Sequence, residues 1–204
     1  MKILNGDELQ TQGQTIFLYG TPGAGKTTAL GALPGKTLII DADRGTNVLQ
    51  GNKNIHVVRL DEDLADLPRV CEMLEKECGY NNIAIDSLSE LERGMLTVLG
   101  RTGKGDGAPE LRHFLLVQYK MADYVRRLRA LGKNLILTAW EIQKEIIAPT
   151  GEKHTRAQPA LGEKSADTIA GLSDVVGRVA IHPKSGERYI QLKATTSVVA
   201  KDRL

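Results

Sequence analysis

Five short apolar runs punctuate the first two-thirds of the chain, at residues 15–19, 37–41, 56–60, 82–86 and 134–139. Each is continuous rather than alternating, the pattern of a strand covered on both sheet faces. Between them lie segments with helical periodicity, at 26–33, 63–78, 87–99 and 111–131. In the last, apolar positions 111, 115, 122, 125 and 128 fall close to one helical face. Strands alternating with helices predict an α/β fold: a mostly parallel central sheet, right-handed crossovers and flanking helices. The pattern changes late. Residues 174–182 and 188–195 are β-rich runs around Pro183-Lys184-Ser185-Gly186-Glu187, which predicts a C-terminal β-hairpin extending the sheet. Two stretches, 100–109 and 146–162, carry Gly, Pro and cations without apolar periodicity and read as mobile loops.

Composition changes this picture little. A chain of 204 residues with 41% hydrophobic and 25% charged positions is long enough to bury one real core. No apolar run approaches the length of a membrane span, and residues 1–7 lack the apolar core of a signal peptide, so no membrane contact is expected. Cys71 and Cys78 fit neither a zinc site nor a C-x-x-C redox pair; free thiols in a reducing cytoplasm are the simplest reading. Charge is uneven. Residues 1–100 hold 9 Lys/Arg against 14 Asp/Glu, and residues 101–204 hold 18 against 11. An acidic half joined to a basic half raises the odds of a polyanionic partner, although ordinary solvated charge gives the same count.

The first loop carries the chemistry. Gly20-Thr21-Pro22-Gly23-Ala24-Gly25-Lys26-Thr27 fits G-x-x-x-x-G-K-[ST] at every specified position, between an expected strand and an expected helix. Glycines allow backbone amides to converge on phosphate oxygens. Lys26 would reach the β- and γ-phosphates, the Thr27 hydroxyl would ligate Mg²⁺, and Thr28 closes the cradle. ATP and Mg²⁺ are therefore the expected cofactors. A strand running into Asp86 supplies a second acidic site for the metal. A second strand ends in Asp41-Ala42-Asp43, where Asp43 could position the attacking water if its strand lies beside the P-loop strand. A helix cap or turn is the plainer use of Asp43. Thr138-Ala139-Trp140-Glu141 ends the fifth strand, where Thr138 could sense the γ-phosphate. Lys201 and Arg203 are two apart near the chain's end and could point together into a neighbouring subunit's phosphates, though a solvated tail is the ordinary outcome.

Together these segments resemble the RecA/RadA superfamily of P-loop ATPases, over residues 14–204 in order. Ile40-Asp41-Ala42-Asp43 is similar to that family's I-D-A-E segment, with Asp43 in the place of its catalytic glutamate. Ile85-Asp86-Ser87 resembles its Walker B strand. Lys201-Asp202-Arg203 is similar to the K-N-R stretch whose cations act across a subunit interface. By position, the stretches 100–109 and 146–162 resemble its two DNA-binding loops, which implies nucleic-acid contacts by Lys104, Lys153 and Arg156. The resemblance is strongest to short, core-only phage proteins described as ATP-binding single-strand annealing proteins. It implies a single RecA-like ATPase domain over 1–204, single-stranded DNA as partner, a homo-oligomeric ring or filament, and a single-strand-binding protein as a further partner. Weak, DNA-stimulated hydrolysis is expected, because the Asp43 side chain is one bond shorter than glutamate. Residues 1–13 show no legible polymerisation motif, and neither candidate loop holds Phe, Tyr or Trp for base stacking. Two alternatives remain: a P-loop kinase of small molecules or nucleotides with 146–162 as its lid, and a nucleotide-gated assembly protein with negligible turnover.

Overall fold

The computed structural model describes residues 13–147 and 151–203. In chain order the elements are β1 (Thr15–Gly20), α1 (Lys26–Leu30), β2 (Thr37–Asp41), β3 (Ile55–Arg59), α2 (Asp66–Lys76), β4 (Asn82–Asp86), α3 (Leu88–Arg101) and α4 (Leu111–Ala130). They continue with β5 (Asn134–Ile147), β6 (Lys153–Pro159), α5 (Glu163–Leu172), β7 (Val175–Ile181), β8 (Arg188–Gln191) and β9 (Lys201–Asp202). The sheet order is β3-β2-β4-β5-β1-β7-β8, with β3 to β7 parallel along that path and β8 antiparallel on β7. The alternating α/β reading and the C-terminal hairpin are both borne out.

The central strands β1, β2 and β4 are buried on both faces, as their continuous apolar runs require. Edge strand β3 departs from that expectation: with a neighbour on one side only, it is mostly exposed. Period-2 alternation sorts the side chains. Phe17, Ile40, Ile83, Ile85, Leu135 and Leu137 face the layer of α2, α3, α4 and α5, where Leu67, Leu74, Leu91, Val125 and Ile169 cover them. Leu18, Ile39, Ala84 and Ile136 face the other way, onto Ala24, Leu30 and Leu49 around α1. The second layer is thinner. It also sets the site, because residues two further along each strand share its face. Asp86 follows Ala84 and Thr138 follows Ile136, so both reach the side where α1 begins.

The 146–162 stretch differs from expectation. β5 continues past the sheet to Ile147, and Lys153–Pro159 pairs back on it from Glu141 to Ile147, so the segment is largely an antiparallel ribbon. Its outer part is exposed and only Ala157 and Pro159 at its base are buried, too few apolar positions to set a period; ladder hydrogen bonds hold the rest. α5 was also unannounced, since Ile169 is its one fully buried large apolar side chain.

The two thiols have different fates. Cys71 is fully buried in the α2 interface, and burial pushes its pKa up to about 11, while Cys78 is half-buried. At pH 8, iodoacetamide should label Cys78 in the native protein and Cys71 only after denaturation, as read by peptide mass spectrometry. Rapid native labelling of Cys71 would contradict the packing of α2. Because the native pKa lies above the unfolded one, this thiol's contribution to stability is present at neutral pH and is lost as pH rises from about 9 to about 11.

Candidate nucleotide site

The P-loop leaves β1 at the C-terminal end of the sheet, the usual ligand end of a parallel α/β sheet. Gly23 (φ 79°) and Gly25 (φ 103°) hold left-handed backbone that side-chain-bearing residues rarely adopt. Gly20 is required for another reason: a Cβ there would come within 2.3 Å of the Val179 carbonyl oxygen on β7. Thr21, Pro22, Gly23 and Thr28 are exposed, and Ala24 packs inward. The Lys26 ammonium curls back over the loop, donating to the carbonyls of Gly20 (2.8 Å) and Thr21 (3.1 Å). Burial lowers its pKa, against the raising fields of the carboxylates of Asp86, Asp43 and Glu141.

Thr27 Oγ1 donates to Asp86 Oδ2 at 2.7 Å, and Thr138 Oγ1 donates to Asp86 Oδ1. Burial raises the Asp86 pKa. The two hydroxyl hydrogen bonds lower it, and the neighbouring charges of Asp43 and Asp41 raise it. A hydroxyl and a carboxylate in contact at the mouth of the loop suit a hard cation that keeps most of its shell as water and phosphate oxygens. Among the described residues no cluster of three or more His, Cys, Asp or Glu forms an all-protein metal cage. Thr27 and Asp86 are the residues that would hold Mg²⁺, whose chemistry there is neutralisation of phosphate charge. Thr138 thus acts on Asp86, from the neighbouring strand β5 that lies between β4 and β1.

Asp43 reaches the site by a different route from the one expected. β2 lies between β3 and β4, separated from β1 by β4 and β5. The turn after β2 closes the gap. Asp41 accepts from the Thr46 hydroxyl at 2.6 Å and from the Gly45 amide at 3.2 Å. Asp43 Oδ1 also accepts from Gly45 N, at 3.0 Å, and Gly45 stands beside Thr27. The half-buried Asp43 carboxylate is therefore near enough to bias both Lys26 and Asp86.

A family model described as AAA domain matches residues 12–204. The chain belongs to the AAA domain family. No curated protein matches it at a significant level. Among solved structures it is similar to a KaiC-like protein of the hyperthermophilic archaeon Pyrococcus horikoshii OT3. That match has a TM-score of 0.51 and 15% identity, over 91% of this chain and 80% of the other. Family, fold and loop make the chain a P-loop ATPase with a RecA-like core. Among the described residues no helix is long and apolar enough to cross a membrane.

Other predicted residues of this AAA domain lie away from the loop. β9 pairs with Val175 and Val176 at the start of β7, at the sheet end opposite the P-loop. Lys201 Nζ there donates to the carbonyls of Ala170, Gly171 and Ser173, capping the C-terminus of α5, and Arg203 is exposed. Lys104 is exposed in the turn after α3, where Glu110 accepts from its backbone amide. Lys153 pairs with Glu145 (3.0 Å), and Arg156 donates to the Thr196 carbonyl (3.0 Å).

Two features escaped sequence reading. Glu141 on β5 accepts a two-pronged contact from Arg178 on β7, both bonds 2.8 Å. Since Tyr19 is registered with Ala139 on one side and Arg178 on the other, this ion pair straddles β1 at the root of the P-loop. Arg188, the first residue of β8, lays its side chain against Gly25. Neither had a local signal, because both depend on β7 lying next to β1.

Proposed function

We propose that this ATPase binds single-stranded DNA in an ATP-dependent manner and promotes its annealing, with ATP shared between subunits of a homo-oligomer. The carrying observation is the continuity of β5. One 14-residue strand holds Thr138, bonded to Asp86, and runs on into the exposed β5–β6 ribbon that bears Lys144, Lys153 and Arg156. A change at the metal-side carboxylate has a rigid route to that ribbon. The ribbon's ion pairs, Lys144–Glu163 and Lys153–Glu145, are solvent-exposed, and such pairs contribute about 0–1 kcal/mol each, so DNA phosphates can displace them. Lys104 offers a further exposed cation. Without aromatic side chains in the ribbon, affinity leans on phosphate contacts and is strongly salt-dependent. Lys201 and Arg203 lie at the far end of the sheet from their own P-loop, so any phosphate they touch belongs to a neighbouring subunit; Arg203 is exposed for this, whereas Lys201 would have to exchange its α5 carbonyls for it.

Gel retardation with Mg·ATP, at about 50 and about 200 mM salt, tests this reading. Single-stranded DNA should be retarded more than duplex, only with ATP, and far less at the higher salt. Equal retardation without nucleotide, or none at low salt, overturns it.

A further inference from the structure

We infer that Arg188 is a cation this chain lends to its own nucleotide, at the α- and β-phosphates. The inference rests on the P-loop reading above. A Cβ built on Gly25 would come within 2.8 Å of Arg188 Cδ and 2.9 Å of its Nε, so the arginine stem lies directly on the last glycine of the loop. The closing turn of the hairpin, in which His182 N donates to the Glu187 carbonyl at 2.7 Å, sets the start of β8 at this height. Arg178, one strand inward, is committed to Glu141. The Arg188 guanidinium is exposed and makes no hydrogen bond or ion pair with any described residue. It stands beside a loop that already holds Lys26, so two cations flank one anion cradle. That arrangement is repulsive when the loop is empty and is relieved when an anion enters it.

Sheet order tells which phosphates it meets. Asp86 and Asp43 approach the loop from the β4 and β2 side, through β5. Arg188 approaches from β8, across β7, on the opposite flank of β1. The γ-phosphate, the metal and the attacking water belong with the carboxylates, and the flank at Gly25 belongs with the inner phosphates. Arg188 thereby strengthens ground state and transition state alike, and it should act on affinity rather than on the chemical step.

Arg188→Met keeps the apolar stem without the charge, and Arg188→Lys keeps a charge without the planar fork. Titration with fluorescent ATP and ADP analogues, together with phosphate-release kinetics, reads the outcome. Arg188→Met should weaken both nucleotides by about tenfold or more, raise KM in proportion and leave kcat within about twofold, with Arg188→Lys recovering part of the affinity. The melting temperature of the nucleotide-free protein should be unchanged. Unaltered Kd for both nucleotides means the side chain only packs on Gly25, and the inference fails. Loss confined to ATP, or a fall in kcat at constant Kd, places the arginine on the γ side and also overturns it. Lys26→Ala is the separate control: if it binds ATP like the wild type, the P-loop reading itself fails, whatever Arg188 does.

Discussion

Lys26→Ala should cut ATP turnover by about 10³-fold and remove most of the affinity for ATP, while leaving the fold intact or more stable. The functional half follows from position. Lys26 is the one charged side chain inside the loop; it donates to the Gly20 and Thr21 carbonyls, which a bound phosphate would replace as partners. Removing a preorganised donor of this kind costs about 10² to 10³ in rate even when it is uncharged. The stability half follows from burial. Lys26 is 8% exposed, its pKa is lowered chiefly by desolvation, and its two carbonyl partners sit in a partly exposed loop. The native state therefore holds an ammonium at a cost that alanine removes, the usual exchange of stability for a primed site. Phosphate release measures the first effect and thermal unfolding the second. Turnover near wild type would remove Lys26 from the chemistry, and a melting temperature lowered by several degrees would mean that the lysine is structural.

What could be read in advance was local. The P-loop, the strand ending in Asp86 and the Asp41–Asp43 turn are contiguous segments whose chemistry does not depend on which strands become neighbours. Sheet order is not local, and the surprises lie there. Asp43 was expected beside the loop only if β2 adjoined β1; instead β4 and β5 intervene, and the Gly45–Thr46 turn carries the carboxylate across. Arg178 and Arg188 carry no local signal; their places follow only from β7 lying against β1. Spacing alone lets Lys201 either point toward a neighbour or lie in a solvated tail; that its ammonium caps α5 through three carbonyls is a role only the pairing of β9 with β7 reveals. The ribbon at 146–162 is hidden for another reason: it buries only Ala157 and Pro159 at its base, too short an apolar pattern for periodicity to register.

The ion pair over β1 gives the second large effect. Arg178→Met should destabilise the protein by about 3 kcal/mol, which in a domain of this size lowers the melting temperature by about 6–12 °C. The Glu141 side chain is 2% exposed and that of Arg178 24%, so removing the arginine leaves a buried carboxylate without its counter-charge and with the Gln143 amide (2.6 Å) as its remaining hydrogen-bond partner. Exchanging both partners, Arg178→Met with Glu141→Leu, removes that charge and should restore most of the lost stability. Recovery in the double variant identifies the loss as electrostatic. If the double variant melts as low as the single one, the loss came from packing around Tyr19, whose hydroxyl bonds to the Ala157 and Val199 carbonyls on the same face. Stability and function should then separate. Glu141 helps keep Lys26 protonated, since its field raises the lysine pKa against burial. With Glu141 gone that pKa falls further, and the fraction of charged Lys26 shrinks first at high pH. The rescued double variant should therefore melt close to the wild type but lose ATP affinity at a lower pH as alkalinity rises. A pH titration of ATP binding on the two proteins reads the displacement. Coincident curves would show that the ion pair braces the root of the P-loop without tuning the lysine inside it.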